Sequence, residues 1–359
     1  MRKELYFLML VLVGISLSCS ETVVNQQSVL LPLTESGTEK ASCEDFFAPV
    51  EIIPLNETSN FRIGAVKKIE YFNKEYYVLC NNSKYDLVVF DDSGNIVREI
   101  GHWGNGHGEH GQIRDFCIDR KNQRVIALCE NSLIITYSLS GEYISKKELS
   151  KSVFWNIESL DGYVLCTTNH KTFTDGENAF LFYIFDENFN LVDKHTNVLP
   201  DYMAMFSLLT SPLKKQNNHY VYSDFYMHRI YILDSKGDIL QTYTYDKGGM
   251  MPSEFFKEYG LFTENQFKYD FILDNIVLND TILSIYKSKE QVRMSMNRID
   301  GKVLRDFPLK GLIPKLYAVD GHDFLSVCTI EDLERMGLNG YGENPKQFLY
   351  IVRYKAKHH

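Results

Sequence analysis

The sequence is short of several things, and each shortage excludes a class of protein. No apolar run approaches the roughly 20 residues that a membrane-spanning helix needs; the longest, residues 5–15, stops well before that. Positive charge is in deficit, with 38 Lys and Arg against 47 Asp and Glu, so a nucleic-acid backbone finds no basic surface and nucleic acid is excluded as a partner. There is no Gly-x-Ser-x-Gly elbow and no cysteine in a recognised catalytic setting, which removes the best-marked nucleophilic hydrolases. Long stretches of Ala, Leu, Glu and Lys are few, and no Pro/Gly/Ser-rich linker divides the chain. A helical bundle and a string of separate domains are therefore both poor descriptions.

What is present begins with an address. Arg2 and Lys3, the apolar run 5–15 and the small residues before Cys19 form the three parts of a bacterial export signal. Ser16-Leu17-Ser18-Cys19 reads as a lipobox, although Ser16 stands where Leu is usual. Residues 1–18 are expected to be the signal peptide and Cys19 the lipidation site, several acyl chains giving firm attachment to a membrane. Removing Arg2, Lys3 and Glu4 with the signal leaves a net charge near −10. Residues 19–43 are polar and read as a flexible tether, interrupted only by the apolar residues 29–33. The remainder, 44–359, is expected to be one folded unit.

That unit is rich in strand formers, with 23 Tyr and 23 Phe beside only 2 Trp. Its length without linkers points to a repeat. Phe90-Asp91-Asp92-Ser93-Gly94 joins two apolar strands by a tight turn. Tyr137-Ser138-Leu139-Ser140-Gly141, Phe185-Asp186-Glu187-Asn188-Phe189-Asn190 and Leu233-Asp234-Ser235-Lys236-Gly237 repeat the pattern at spacings of 47, 48 and 48 residues. A fifth copy at Ile299-Asp300-Gly301 arrives late, after an insertion around 248–266, and a sixth at 349–354 runs out of chain before its last strand. Four strands every 48 residues or so make a propeller blade. The fold expected is an all-β, six-bladed β-propeller, closed by residues 49–55 completing the last blade. Cys80, Cys129, Cys166 and Cys328 fall at equivalent places in different blades, too far apart to bridge, and are expected to be small buried hydrophobes.

Ile100-Gly101-His102-Trp103-Gly104-Asn105-Gly106-His107-Gly108-Glu109-His110, followed by Asp115 to Asp119, resembles the signature of the six-bladed β-propeller lipoproteins of Bacteroidetes, a family once grouped as proteins of unknown function. Residues 248–255 resemble a degenerate second copy. The resemblance implies the same fold across about 44–355 and a place at the outer membrane, on its periplasmic or cell-surface face. It implies no chemistry.

Candidate binding residues come from topology. Blade-to-blade loops and the loops between second and third strands share one face, which brings Trp103, His107, Glu109, His110, Arg114, Asp115, His170, Asp224, Tyr226 and His228 into consideration. Rings for stacking and polar groups for hydroxyls suit a glycan or peptide, and a partner protein at the outer membrane is the third possibility. His102, His107, His110 and Glu109 match no rigid metal motif, and the glycine-rich segment is followed by a strand rather than the helix that a phosphate cradle needs. No metal, cofactor or catalytic residue is therefore assigned. The function expected is a membrane-anchored, non-catalytic binding or scaffold module, monomeric. The alternative is a metal-dependent hydrolase, lactonase-like or glycosidase, with Asp119, Asn156, Asp224 and Asp274 around the central channel. Asp280-Thr281-Ile282 resembles an O-glycosylation site of exported Bacteroidetes proteins, with unmodified Thr281 the expectation.

Overall fold

A computed structural model describes residues 28–58, 61–81, 86–149, 152–169, 180–198, 212–216, 219–246, 248–256, 258–288, 291–310, 316–318, 323–338 and 349–357. Cys19, His170 and the export signal lie outside them. The strands in chain order are β1 (Val29–Pro32), β2 (Phe47–Pro54), β3 (Ala65–Phe72), β4 (Glu75–Asn81), β5 (Leu87–Phe90), β6 (Ile96–Glu99), β7 (His102–Trp103), β8 (Glu109–His110), β9 (Ile113–Asp119), β10 (Arg124–Cys129), β11 (Leu133–Ser138), β12 (Tyr143–Glu148), β13 (Asn156–Ser159), β14 (Tyr163–Thr167), β15 (Phe180–Asp186) and β16 (Leu191–Asn197). They continue with β17 (Leu213–Gln216), β18 (His219–Asp224), β19 (Arg229–Leu233), β20 (Ile239–Asp246), β21 (Phe271–Leu278), β22 (Thr281–Ser288), β23 (Gln291–Arg298), β24 (Val303–Pro308), β25 (Tyr317–Ala318), β26 (Asp323–Thr329) and β27 (Leu349–Ala356). Among the described residues two short helices, α1 (Tyr259–Asn265) and α2 (Ile330–Arg335), lie between strands.

Six antiparallel sheets form the ring, each running from an inner to an outer strand: β3–β6, β9–β12, β13–β16, β17–β20, β21–β24, and β25-β26-β27-β2. The sixth sheet takes its outer strand from the N-terminal side, with Ile52 opposite Val352 and Ile53 opposite Ile351. Six blades and closure by an N-terminal strand are thus as the repeat predicts. Strand alternation puts the blade-to-blade loops and both helices on one face, called upper below, and the hairpin turns on the other.

The outer hairpins form for a local reason that recurs. Asp91 Oδ1 accepts from the backbone of Ser93 and Asn95, Asp186 Oδ1 from Asn188 and Asn190, and Asp234 Oδ1 from Lys236 and Asp238. The chain then needs positive φ, supplied by Gly94, Gly141, Gly237 and Gly301; in blade three Phe189 takes that conformation at φ 60. A register shift follows each turn, so the outer strand twists away at a bulge. Between successive blades lie separate apolar clusters, such as Ile135, Val125, Phe116, Tyr77 and Val89 between blades one and two. Cys80, Cys117, Cys129, Cys166 and Cys328 are free and buried in these seams.

The tether reading needs correction over residues 28–43. β1 pairs in parallel with β20 as a fifth strand of blade four, with Val29 opposite Tyr243 and Pro32 opposite Asp246. Leu31 is fully buried and Leu33 nearly so, in the cluster of Tyr243, Ile272, Ile282 and Tyr286 between blades four and five. Beyond it Glu35 accepts from the Ser288 hydroxyl, Arg293 donates to the Gly37 carbonyl at 3.0 Å, and Lys310 N donates to Ala41 O at 2.7 Å. A Cβ on Gly37 would sit 1.9 Å from the Asp306 carbonyl oxygen, so only glycine lets the strap lie this close. Residues 28–41 therefore belong to the folded body, lying along blades four and five before β2 enters blade six. Polar composition misled because the strap satisfies its backbone on blade edges instead of through a periodic pattern.

Candidate functional site

The nine candidate residues among those described fall in separate places. Trp103 and His107 belong to the glycine-rich loop that joins blade one to blade two. There β7 and β8 pair in parallel, and Glu109 accepts from Gly106 N at 2.6 Å to tie the loop shut. Trp103 is 45% exposed, whereas His107 packs edge-on to Tyr143 with ring centres 4.5 Å apart. His110 is buried against Tyr137, its Nδ1 2.9 Å from the Gly111 carbonyl, and burial lowers its pKa. Gly101 is required here, since it has φ 68 and a Cβ would lie 2.6 Å from Tyr137 Cζ.

Asp224, Tyr226 and His228 sit beneath the insertion between blades four and five. Tyr226 packs in a cluster with Phe225, Met251, Phe256 and Phe262. Asp224 accepts from Met227 N at 3.1 Å, and His228 Nε2 lies 2.7 Å from the Met251 carbonyl. Burial lowers the His228 pKa as well. His110, Asp224 and Tyr226 are each at most 4% exposed and pack within their own loops.

Asp115 belongs to a different constellation, which sequence reasoning missed. Lys68, on the innermost strand of blade one, reaches into the central channel. Its Nζ donates to Glu158 Oε1 and to the Phe116 carbonyl, both at 2.7 Å, and lies 3.3 Å from Asp115 and 3.4 Å from Glu70. Burial opposes the lysine charge, but Asp115, Glu158 and Glu70 outweigh it and hold the pKa well above the ordinary value. Three carboxylates around one ammonium leave excess negative charge, and Glu158 is pushed up to about 7, first by burial. Asp115 also accepts from Ile157 N at 3.0 Å, so one cluster joins blades one, two and three. Across the channel Lys214 pairs with Asp274, and Gln216 accepts from Val277 N at 2.8 Å, which joins blades four and five. The available signal was charge inside inner strands, as in Val66-Lys67-Lys68-Ile69-Glu70 and Asn156-Ile157-Glu158.

The four residues considered for a channel metal are not assembled. Asp119 accepts from Arg124 Nε at 2.9 Å and from Asn122 at the lower end of its strand, Asp274 is taken by Lys214, and Asp224 closes an upper loop. Among the described residues no three of His, Cys, Asp and Glu gather as a metal-ligating group.

What the upper mouth of the channel does present is a mixed polar and aromatic patch. The Arg114 guanidinium stacks over Trp155 at 4.7 Å. Lys67 is close enough to Asp115 and Arg114 to feel both, although burial is the main cause of its lowered pKa. Asn156 and Asn169 complete the rim, both oriented by the Thr167 hydroxyl at 3.3 and 3.0 Å. Such a patch can stack on a flat group and receive an acidic or hydroxylated one.

Comparison with solved structures gives the same architecture. A Bacteroides fragilis protein of inferred export superposes with a TM-score of 0.71 at 14% identity, covering 92% of this chain and 99% of its own. A member of the DUF4221 family from Bacteroides vulgatus gives 0.57 at 11% identity, covering 87% and 98%. At such identities the likeness speaks for fold alone. No protein with a curated description matches. The model of DUF4934, a domain of unknown function, matches residues 30–336, and the chain belongs to that family.

Proposed function

We propose that the protein is a non-catalytic binding or scaffold propeller, held at the outer membrane through Cys19, which presents the upper mouth of its channel to a glycan, peptide or partner protein. The observation that carries this reading is the state of the channel acids. A hydrolase working there would need free carboxylates or a metal set; here Asp115, Glu158 and Glu70 are gathered on Lys68, and Asp274 on Lys214. The acids link blade to blade, which supports a binding or scaffold role. The Arg114–Trp155 stack favours ligands with an acidic or planar group, and exposed Trp103 borders the same face. The export signal, the lipobox and the inferred export of the Bacteroides fragilis relative support the location.

A glycan and peptide array probed with the soluble Cys19→Ser chain tests the reading. Retention of a ligand by this chain, lost in Arg114→Ala and kept in Leu240→Ala on an outer strand, is the expected result. Turnover of a glycoside or lactone panel at enzyme-like rates would overturn it.

A further inference from the structure

The lower rim carries a second concavity, remote from the upper mouth. Between blades five and six a cavity of about 400 Å³ opens beside the turn that joins β21 to β22. Its volume falls at the small end of the roughly 300–1,000 Å³ typical of small-molecule sites. The walls are apolar, formed chiefly by Phe46, Leu278, Leu283, Met296 and Leu304. Phe46, Leu283 and Met296 are themselves buried parts of the seam between the blades, so these walls are preformed.

The charges at the cavity are positive and available. Arg305 lines it, and among the described residues its guanidinium has a ring contact with Phe307 at 5.7 Å but no hydrogen-bond or ion-pair partner. Lys357 also lines it and donates to the Glu44 carbonyl at 2.6 Å, a bond that leaves its charge uncompensated. The opposing charge is Asp280, whose Oδ1 accepts from Thr281 at 3.2 Å and which acts on Arg298 outside the cavity. Apolar walls with an unpaired guanidinium and an ammonium at the edge complement a molecule with an apolar body and one anionic end.

We propose that this cavity binds a small anionic amphiphile, its apolar chain against Phe46, Leu283 and Met296 and its acid group on Arg305 and Lys357. The site is independent of the upper-mouth reading, which can fail without affecting it. A volume of about 400 Å³ suits a small molecule better than a segment of a second copy.

Octanoate, octanol and octylammonium are the probes, titrated calorimetrically into the full mature chain carrying Cys19→Ser, so that no acyl chain or detergent competes. Octanoate should bind at one site, with octanol weaker and octylammonium without saturable binding. Lengthening the carboxylate within the cavity should tighten binding about fourfold per methylene. Arg305→Glu should weaken octanoate at least tenfold, Asp280→Asn should tighten it, and Leu304→Trp, at a position 43% exposed and thus tolerant of change, should block entry. Melting temperatures of the variants guard against loss of fold. Absence of saturable octanoate binding, equal binding of octylammonium, or binding indifferent to both Arg305→Glu and Leu304→Trp would overturn the proposal. So would a dimer dissociated by Arg305→Glu, since the occupant would then be a second copy.

Discussion

Replacing Leu31 by Ala should destabilise the whole ring although residue 31 precedes the first blade. Its side chain is fully buried and touches the seam between blades four and five, where Val221, Tyr243, Ile272, Ile282 and Tyr286 surround it. Truncating such a leucine costs about 2–5 kcal/mol, from lost burial and the cavity left behind. A folded body of roughly 300 residues unfolds with an entropy on the order of 0.6 kcal/mol/K, so a loss of about 3 kcal/mol lowers the melting temperature by about 5 °C. Leu30, next to it on the same strand but 54% exposed, supplies the control, and Leu30→Ala should fall within about 0.5 kcal/mol of the parent. Thermal unfolding of the Cys19→Ser chain with each substitution, followed by circular dichroism, reads both. A chain beginning at residue 42 loses the strap entirely and should melt below Leu31→Ala. One beginning at residue 56 also loses β2, exposes the edge of β27 and should aggregate. Equal melting temperatures for Leu30→Ala and Leu31→Ala would refute the argument and return residues 28–41 to the status of a free tether.

The channel cluster predicts a pH dependence. Burial raises the Glu158 pKa above its ordinary value, so the folded chain holds a proton that the unfolded chain has released, and stability falls as pH rises through the range between the unfolded and folded values. Glu158→Gln should remove that slope, and a difference in melting temperature from the parent that stays constant across the window would refute it. Gly101→Ala should cost about 2 kcal/mol or more, because the residue has positive φ and its Cβ would strike Tyr137. Gly248→Ala meets open space and should be near neutral in the same denaturant titration; equal effects would show that the loop moves aside.

The blades were legible because their information is local. An Asp or Ser that caps its own turn and a Gly at positive φ recur every 48 residues or so, and each hairpin can be recognised without its neighbours. Closure by β2 was legible for the opposite reason: an apolar strand, 349–354, lacked an outer partner, and one β-branched segment upstream could supply it. The strap was not, since a parallel fifth strand of four residues and a run of carbonyl contacts at Gly37 and Ala41 leave little periodic signal. The upper face was legible as a set of loops but not as a site. Whether Tyr226 or His110 faces solvent depends on the path of the insertion and of the glycine-rich loop over the seams, and no residue type announces that.

The links between blades are distributed unevenly, and this bears on where ligands can sit. Blades one to three are joined at the axis by Lys68, and breaking such a buried cluster by removing one partner costs about 3–5 kcal/mol. Blades four and five are joined at the axis by Lys214 on Asp274 and by Gln216, and blades four to six also from outside, by β1 on β20, by the strap on Arg293 and Pro308, and by β2 on β27. The Arg114–Trp155 patch stands directly above the axial cluster: Arg114 and Asp115 are consecutive on β9, and Trp155 immediately precedes β13, which carries Glu158. A ligand on that patch therefore meets side chains whose backbone is fixed by the Lys68 cluster, so little ordering is required on binding. The lower-rim cavity lies in the other half, where blades five and six meet through side chains of Phe46, Leu283, Met296 and Phe307. Apolar packing tolerates a gap where a network of buried charges does not, because an unfilled void costs dispersion contacts whereas a missing partner strands a charge. Hence the concavity opens at a seam lined by apolar side chains, and the upper patch forms over a seam held by charge.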